Sequence, residues 1–148
     1  MLVSEILRIK GSTLYTASPS ATVRDSVKSM AEFDIGSLVV MDHGKLVGML
    51  TFREVMAVLD RQDGVLGDVS VGEVMEAEPV TTDPHMEVME LRRTMLERHA
   101  RYVPVCEGSM LLGVVSFHDV AKAVYEEQSF ENKMLKGYIK NWPDEEAA

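Results

Sequence analysis

The sequence predicts a mixed α/β (α+β) fold in which two tandem β-α-β-β-α repeats pack sheet to sheet and a C-terminal helix follows. The first observation behind this is an internal repeat. Displaced against itself by 65 residues, the chain pairs Thr16 with Thr81, Pro19 with Pro84, Val23 with Val88, Met30 with Met95, Glu32 with Glu97, Val40 with Val105, Leu46 with Leu111, Gly48 with Gly113, Phe52 with Phe117 and Val55 with Val120. Those ten identities fall within forty ungapped positions, where unrelated sequence gives about two or three. The second observation is that both copies pass in the same order from helical spacing to short β-branched runs and back to helical spacing. The third is size: 148 residues, 46% of them hydrophobic, with Cys106 the one cysteine. A unit of this length buries roughly 70% of its unfolded-chain surface and needs neither a metal nor a disulfide to hold it together.

Each element follows from its own residues. The leading segments 3–7 and 71–75 match at an offset of 68, so the first copy carries three extra residues between Leu7 and Thr16. A short strand then opens each copy, at Leu14-Tyr15-Thr16 and at Pro79-Val80-Thr81-Thr82. Val23, Val27, Met30 and Ala31 recur at i, i+4, i+7 and i+8, and Val88, Leu91, Met95 and Leu96 keep nearly the same spacing, which makes one amphipathic helix of about three turns per copy. Residues 38–41 and 103–106 are apolar and largely β-branched. Asp42-His43-Gly44 and Glu107-Gly108-Ser109 supply turn chemistry before the apolar runs 46–50 and 111–115, so a hairpin follows each helix. A second helix runs over about 52–59 and from 117 to about 125. The boundaries are therefore 3–60 for the first repeat, 61–70 for a polar linker containing Gly64 and Gly67, 71–125 for the second repeat, 126–142 for a C-terminal helix and 143–148 for a tail. Neither copy has enough core to stand alone, which is why the two sheets are expected to face each other.

Charge narrows the function. With 24 acidic against 15 basic side chains the net charge is -9, a field that repels nucleic acid and anionic lipid at long range. A local basic pocket for one small phosphate stays compatible with it. No run approaches the roughly 18 apolar residues of a membrane span, and Glu5 and Arg8 interrupt the opening segment where a secretory signal needs an unbroken apolar core. The expected setting is cytoplasmic, which suits a single thiol. Phosphate-loop, dinucleotide-fold, nucleophile-elbow and zinc-protease motifs are all missing, and His43, His85, His99 and His118 are too scattered to read as a metal site. The expectation is a protein that is not an enzyme and requires no cofactor.

The strings Ile35-Gly36-Ser37-Leu38-Val39-Val40 and Leu46-Val47-Gly48-Met49-Leu50-Thr51-Phe52-Arg53-Glu54, with their partners Arg101-Tyr102-Val103-Pro104-Val105 and Leu112-Gly113-Val114-Val115-Ser116-Phe117-His118-Asp119, occur twice at fixed spacing. In these the chain resembles the cystathionine-β-synthase (CBS) domain pair, over about residues 3–124. Residues 126–139 look like the C-terminal helix of small stand-alone members, which implies that no catalytic domain is missing.

Taken alone, Ser116-Phe117-His118-Asp119 and Thr51-Phe52-Arg53-Glu54 are capping boxes, worth about 1 kcal/mol to any helix. The resemblance adds a second role. It implies that Asp119 grips both hydroxyls of a ribose while Ser116 sits near sugar and phosphate, with Thr51 and Glu54 at the aligned position of the other copy. A carboxylate can accept two hydroxyl protons, and a helix start already favours anions, so the two roles are compatible. Arg101 belongs to a basic cluster with Arg92, Arg93, Arg98 and His99. Arg92 and Arg93 read as a solvated helix face, whereas the resemblance puts Arg101 at the mouth of a nucleotide cleft, where its fork suits phosphate oxygens. It also implies that the backbone of the opening strands reads an adenine edge and that Thr16, Thr81 or Thr82 touches ribose or phosphate. Val80, Tyr102, Pro104, Ile35 and Gly36 complete the implied ligand-binding set, with Ile35 and Val103 as candidate walls around the base.

The function this implies is a regulatory module sensing an adenosine-containing metabolite, AMP, ADP or ATP, between its repeats, and altering its affinity for a partner protein. Binding of NAD(H) or S-adenosylmethionine, or a purely dimerising interaction protein, are the alternatives. Two further expectations follow. Glu54 carries its carboxylate about 1.5 Å further out than an aspartate, and Gly36 stands where the second copy has Arg101, so the motif of the second copy should hold ribose more tightly. The chain should also form a homodimer through the face bearing Val23, Val27, Met30, Met56, Met89 and Leu91, aided by Phe130, Leu135, Tyr138 and Trp142.

Overall fold

The computed structural model describes residues 1–11 and 13–140. In chain order its elements are α1 (Val3–Lys10), β1 (Thr16–Ala17), α2 (Val23–Phe33), β2 (Ser37–Asp42), β3 (Lys45–Thr51), α3 (Phe52–Arg61), α4 (Val71–Val74), β4 (Glu76–Ala77), α5 (Val88–Arg98), β5 (Tyr102–Glu107), β6 (Met110–Ser116) and α6 (Phe117–Lys140). The sequence offset of 65 reappears in the bounds of α2 and α5, β2 and β5, and β3 and β6. It holds even for the irregularities. The hairpins bulge at Val40/Met41 and at Val105/Cys106, and α2 and α5 both end on a left-handed residue, Asp34 and His99, each with φ of 52°.

Two sheets result, one with the order β1-β2-β3-β4 and one formed by the β5-β6 hairpin. Val39 and Met49 of the first meet Leu111 of the second in a buried cluster, with Met41, Tyr102, Cys106 and Val114 around it. This is the expected face-to-face packing. Each sheet also has its own helix-covered core, one containing Val23, Met30 and Leu50, the other Val88, Leu91 and Met95.

The leading helices are exchanged between the repeats. Val3 and Ile6 of α1 sit in the core of the second repeat, and Val71 of α4 sits in that of the first. Backbone bonds fix both: Val3 N–H donates to the Met86 carbonyl at 2.9 Å, and Val71 N–H to that of Ala21 at 2.8 Å. Residues 3–10 thus lead the first repeat in sequence while packing on the second.

Three further differences from the sequence expectation have local causes. The strand expected over 79–82 reduces to one parallel bridge, Thr82 to Val105. In the first repeat Val39 N–H donates to the Tyr15 carbonyl at 3.2 Å, but the aligned residue is Pro104, which has no N–H to give. The added strand β4 pairs with β3 through Gly48 and Ala77. There a Cβ on Gly48 would meet the Glu76 carbonyl oxygen at 2.8 Å, so glycine is needed for the approach. Finally, α6 runs without a break through 125 and 126. Trp142 and the 143–148 tail lie outside the described residues.

Of the apolar face expected at a dimer interface, Val23, Met30 and Leu91 are core residues, because the sheets of their own chain cover them. Met56 and Met89 are exposed, as are Phe130, Leu135 and Tyr138 on α6. Among the described residues, no helix is long and apolar enough to cross a membrane.

Candidate functional site

Sheet-to-sheet packing leaves two clefts related by the 65-residue displacement. In each, the segment leading into the opening strand position of one repeat, 13–15 or 79–80, faces the start of the second helix of the other. The first cleft, of about 500 Å³, has Leu14 and Tyr15 on one wall, Ile35, Gly36 and Ser37 after α2, and Ser116, Phe117 and His118 opposite. The second, of about 330 Å³, has Pro79 and Val80, then Ala100, Arg101 and Tyr102 after α5, with Thr51, Phe52, Arg53 and Glu54 opposite. Arg101 and Tyr102 border both.

The crossing decides which candidates meet. Ser116, Ile35, Gly36, Arg101 and Tyr102 come together in the first cleft, and Thr51, Glu54, Val80, Arg101 and Tyr102 in the second. Gly36 shares the first cleft with Ser116, the cap partner of Asp119, and Arg101 borders that cleft although position 36 carries no arginine. Thr16, Thr81, Thr82 and Pro104 line neither cavity. Thr82 is buried with its hydroxyl on Met86 Sδ at 3.1 Å, Pro104 is buried within β5, and Thr16 and Thr81 are exposed beside their cleft-lining neighbours Tyr15 and Val80. Val103 is core rather than cleft wall, at 0% exposure. Arg92, half-buried, and Arg93, exposed, line neither cavity.

Both hydroxyl–acid motifs form the caps their sequence specifies. At the start of α6, Ser116 N–H donates to Asp119 Oδ2 at 2.9 Å, and Asp119 N–H to Ser116 Oγ at 3.0 Å. At α3 the longer Glu54 folds back, and its Oε1 accepts from both Thr51 N–H at 2.7 Å and Thr51 Oγ1 at 2.8 Å. One methylene separates the two outcomes, for Glu54 is drawn onto its own cap threonine while Asp119 stays available to a second side chain. That side chain is Lys10, whose Nζ donates to Asp119 Oδ2 at 2.7 Å. Burial pushes the Asp119 carboxyl up, but the Lys10 bond, the Ser116 N–H and the Lys10 charge together outweigh it and hold the group below its ordinary 3.8. Asp119 itself faces a smaller pocket beside the first cleft, and Lys10 borders both spaces.

The clefts differ in lining. The first is the more apolar, with Leu14, Tyr15, Ile35 and Val39 on its walls. The second gathers Arg53, Arg98, His99 and Arg101 against Glu54 and Glu76. Arg53 Nη2 donates to the His99 carbonyl at 2.9 Å, tying the start of α3 to the end of α5. Arg53 and Lys10 were not legible as site residues, the first because it sits in a helix cap motif and the second because it ends a helix more than a hundred residues from Asp119. His99 and His118, too scattered in sequence to read as a metal site, are exposed, and each borders a cleft.

Gly36 has a steric role. A Cβ there would overlap the Tyr102 hydroxyl and approach the Phe52 ring, so the glycine lets an aromatic side chain stand between the two clefts.

Fold and clefts together define a tandem-repeat module with two related inter-repeat sites. The chain belongs to the CBS domain family, whose model matches residues 3–61 and 71–126. A CBS domain-containing mitochondrial protein of Arabidopsis thaliana, CBSX3, is 30% identical over 146 residues, covering 93% of this chain and 71% of the relative. The crystal structure of the CBS-domain containing protein ATU1752 from Agrobacterium tumefaciens superposes with a TM-score of 0.79 at 27% identity, over 83% of this chain and 98% of that one. CBSX2, solved in complex with AMP, shares the fold with a TM-score of 0.67 at 23% identity, over 78% of this chain and 90% of its own.

Proposed function

We propose that this chain is a non-catalytic regulatory module that binds an adenosine-containing metabolite, AMP, ADP or ATP, between its repeats. The observation that carries the reading is the crossed construction of the clefts, which sets an apolar slot from one repeat against the hydroxyl–acid helix start of the other. A purine fits between Tyr15 and Ile35, with backbone groups of the 13–15 segment at its edge. The ribose hydroxyls are assigned to Asp119, which opens on the adjoining pocket that shares Lys10 with the first cleft, and the phosphate to Ser116, Arg101 and the start of α6. At about 500 Å³ the first cleft is of a size that encloses a nucleotide, and CBSX2 shows that this fold accommodates AMP. Occupancy that favours one arrangement of the two repeats is enough to alter affinity for a partner protein, with no bond broken. The cytoplasm, where adenine nucleotides are abundant, suits that role.

Thermal melts with AMP, ADP, ATP, NAD and S-adenosylmethionine test the reading. A specific ligand at 100 times its dissociation constant adds about 2.7 kcal/mol. Stabilisation by a nucleotide supports it, stabilisation by NAD or S-adenosylmethionine alone moves the ligand within the adenosyl class, and no stabilisation by any of them refutes it.

A second reading, self-association, has its own observation. Tyr125, Phe130, Met134, Leu135 and Ile139 leave α6 with several large exposed apolar side chains, the kind of surface that an interface covers. Sedimentation at micromolar concentration distinguishes a homodimer from a 16.5 kDa species.

A further inference from the structure

Lys10 stands between the sequence-predicted ribose acceptor and the cavity. Its ammonium donates to Asp119 Oδ2 at 2.7 Å and to the Val114 carbonyl at 2.8 Å, while Ser116 N–H takes the same Oδ2 at 2.9 Å. Two donors engage both lone pairs of that oxygen. A ribose diol that uses both carboxylate oxygens must therefore displace one of them. Ser116 N–H is fixed by the cap of α6. Lys10 is not: it is 42% exposed, on a flexible four-carbon stem at the last position of α1, next to Gly11 with φ of 97°.

We propose that Lys10 sets the class of ligand the first cleft accepts, closing Asp119 to neutral nucleosides and releasing it to nucleotides whose 5′-phosphate draws the ammonium into the cavity. This rests on the adenosyl-ligand reading above. Taking Lys10 from Asp119 breaks a charge-assisted bond to the more buried partner, a carboxylate 21% exposed. A phosphate in the cavity that Lys10 already borders restores one, whereas a neutral nucleoside offers nothing in exchange. Arg101, whose carbonyl accepts from Phe117 N–H at 2.7 Å at the start of α6, attracts the same phosphate but is not bonded to Asp119, so the two cations differ in what they do to a ligand without phosphate.

Titration calorimetry with adenosine and AMP on the wild type, Lys10→Met, Lys10→Arg and Arg101→Met tests this. Methionine keeps the length of the stem and removes its charge. The expected result is that the wild type prefers AMP and that Lys10→Met narrows the preference by about tenfold or more, adenosine binding tighter and AMP weaker. Lys10→Arg keeps the preference, and Arg101→Met weakens AMP without strengthening adenosine. An unchanged ratio in Lys10→Met, or an equal loss for both ligands, overturns the assignment. Failure of the wild type to bind either ligand at millimolar concentration overturns the role of Lys10; the adenosyl reading falls only if ADP, ATP, NAD and S-adenosylmethionine also leave the melt unchanged.

Discussion

Replacing Asp119 by alanine removes two contacts at once, and the structure assigns each a size. The first is the acceptor for Ser116 N–H at 2.9 Å, one half of the α6 cap; the other half, Asp119 N–H to Ser116 Oγ, uses the backbone of residue 119 and survives. Losing a cap contact costs about 1 kcal/mol. The second is the ion pair with Lys10, a residue 42% exposed, and a solvent-screened pair of this kind contributes about 0.2–1 kcal/mol. Together they amount to about 1–2 kcal/mol, or a fall in Tm of about 3–6 °C for a chain of this length. The effect on ligand is larger. A ribose diol held by the carboxylate loses at least about tenfold in affinity when it goes. Circular dichroism melts with and without AMP, followed by calorimetry, separate the two effects: Asp119→Ala should melt cooperatively a few degrees early and lose most of its AMP-induced stabilisation. A well-folded Asp119→Ala protein with wild-type AMP affinity would show that the carboxylate is a helix cap and nothing more.

The acid limb of stability carries the same group. Because the folded Asp119 carboxyl titrates below 3.8, its contribution is present above that value and disappears as pH falls through the lower folded one, so Asp119→Ala should lose less stability than the wild type in that window. Glu54→Ala should cost about 1 kcal/mol through its cap and leave the dominant nucleotide site unchanged by calorimetry; loss of that site would assign ribose binding to the wrong repeat. Gly36→Ala places a Cβ against the Tyr102 hydroxyl and should cost about 1–3 kcal/mol by overpacking, read as an earlier melt together with weaker nucleotide binding. Met49→Ala empties the centre of the inter-sheet cluster, where Met49 is 1% exposed, and should lower stability by about 2–5 kcal/mol, seen as a lower urea midpoint at unchanged slope.

The helices, hairpins and caps were legible because their signals are local. Val23, Val27 and Met30 mark a helix face within two turns, Asp42-His43-Gly44 marks a turn within three residues, and Thr51 with Glu54 or Ser116 with Asp119 marks a helix start within four. Where a local signal competed with pairing, pairing prevailed. Residues 79–82 read as a strand like 14–16, yet Pro104 opposite cannot supply the N–H that Val39 supplies, so one rung is lost and a single bridge at Thr82 remains. Met30 and Leu91 belong to amphipathic faces in the sequence, and only the sheet beneath them shows that this face is covered from within the chain.

By itself the sequence determined the unit, its repetition at 65 residues and the residue types at each helix start, since all of these reside in spacing along one chain. The tertiary structure decided which of those starts faces which opening strand. It joined Ser116 to Tyr15, Ile35 and Gly36, turned Asp119 to the adjoining pocket, joined Thr51 and Glu54 to Val80, and set Arg101 at the edge of both clefts. It also exchanged α1 and α4 between the cores and brought Lys10 to Asp119 across 109 residues. The physical reason is that the packing of two sheets relates residues at separations with no period to reveal them. Such contacts depend on shape and burial in the assembled fold, and a side chain as ordinary as a lysine at a helix end carries no mark of the carboxylate it will meet.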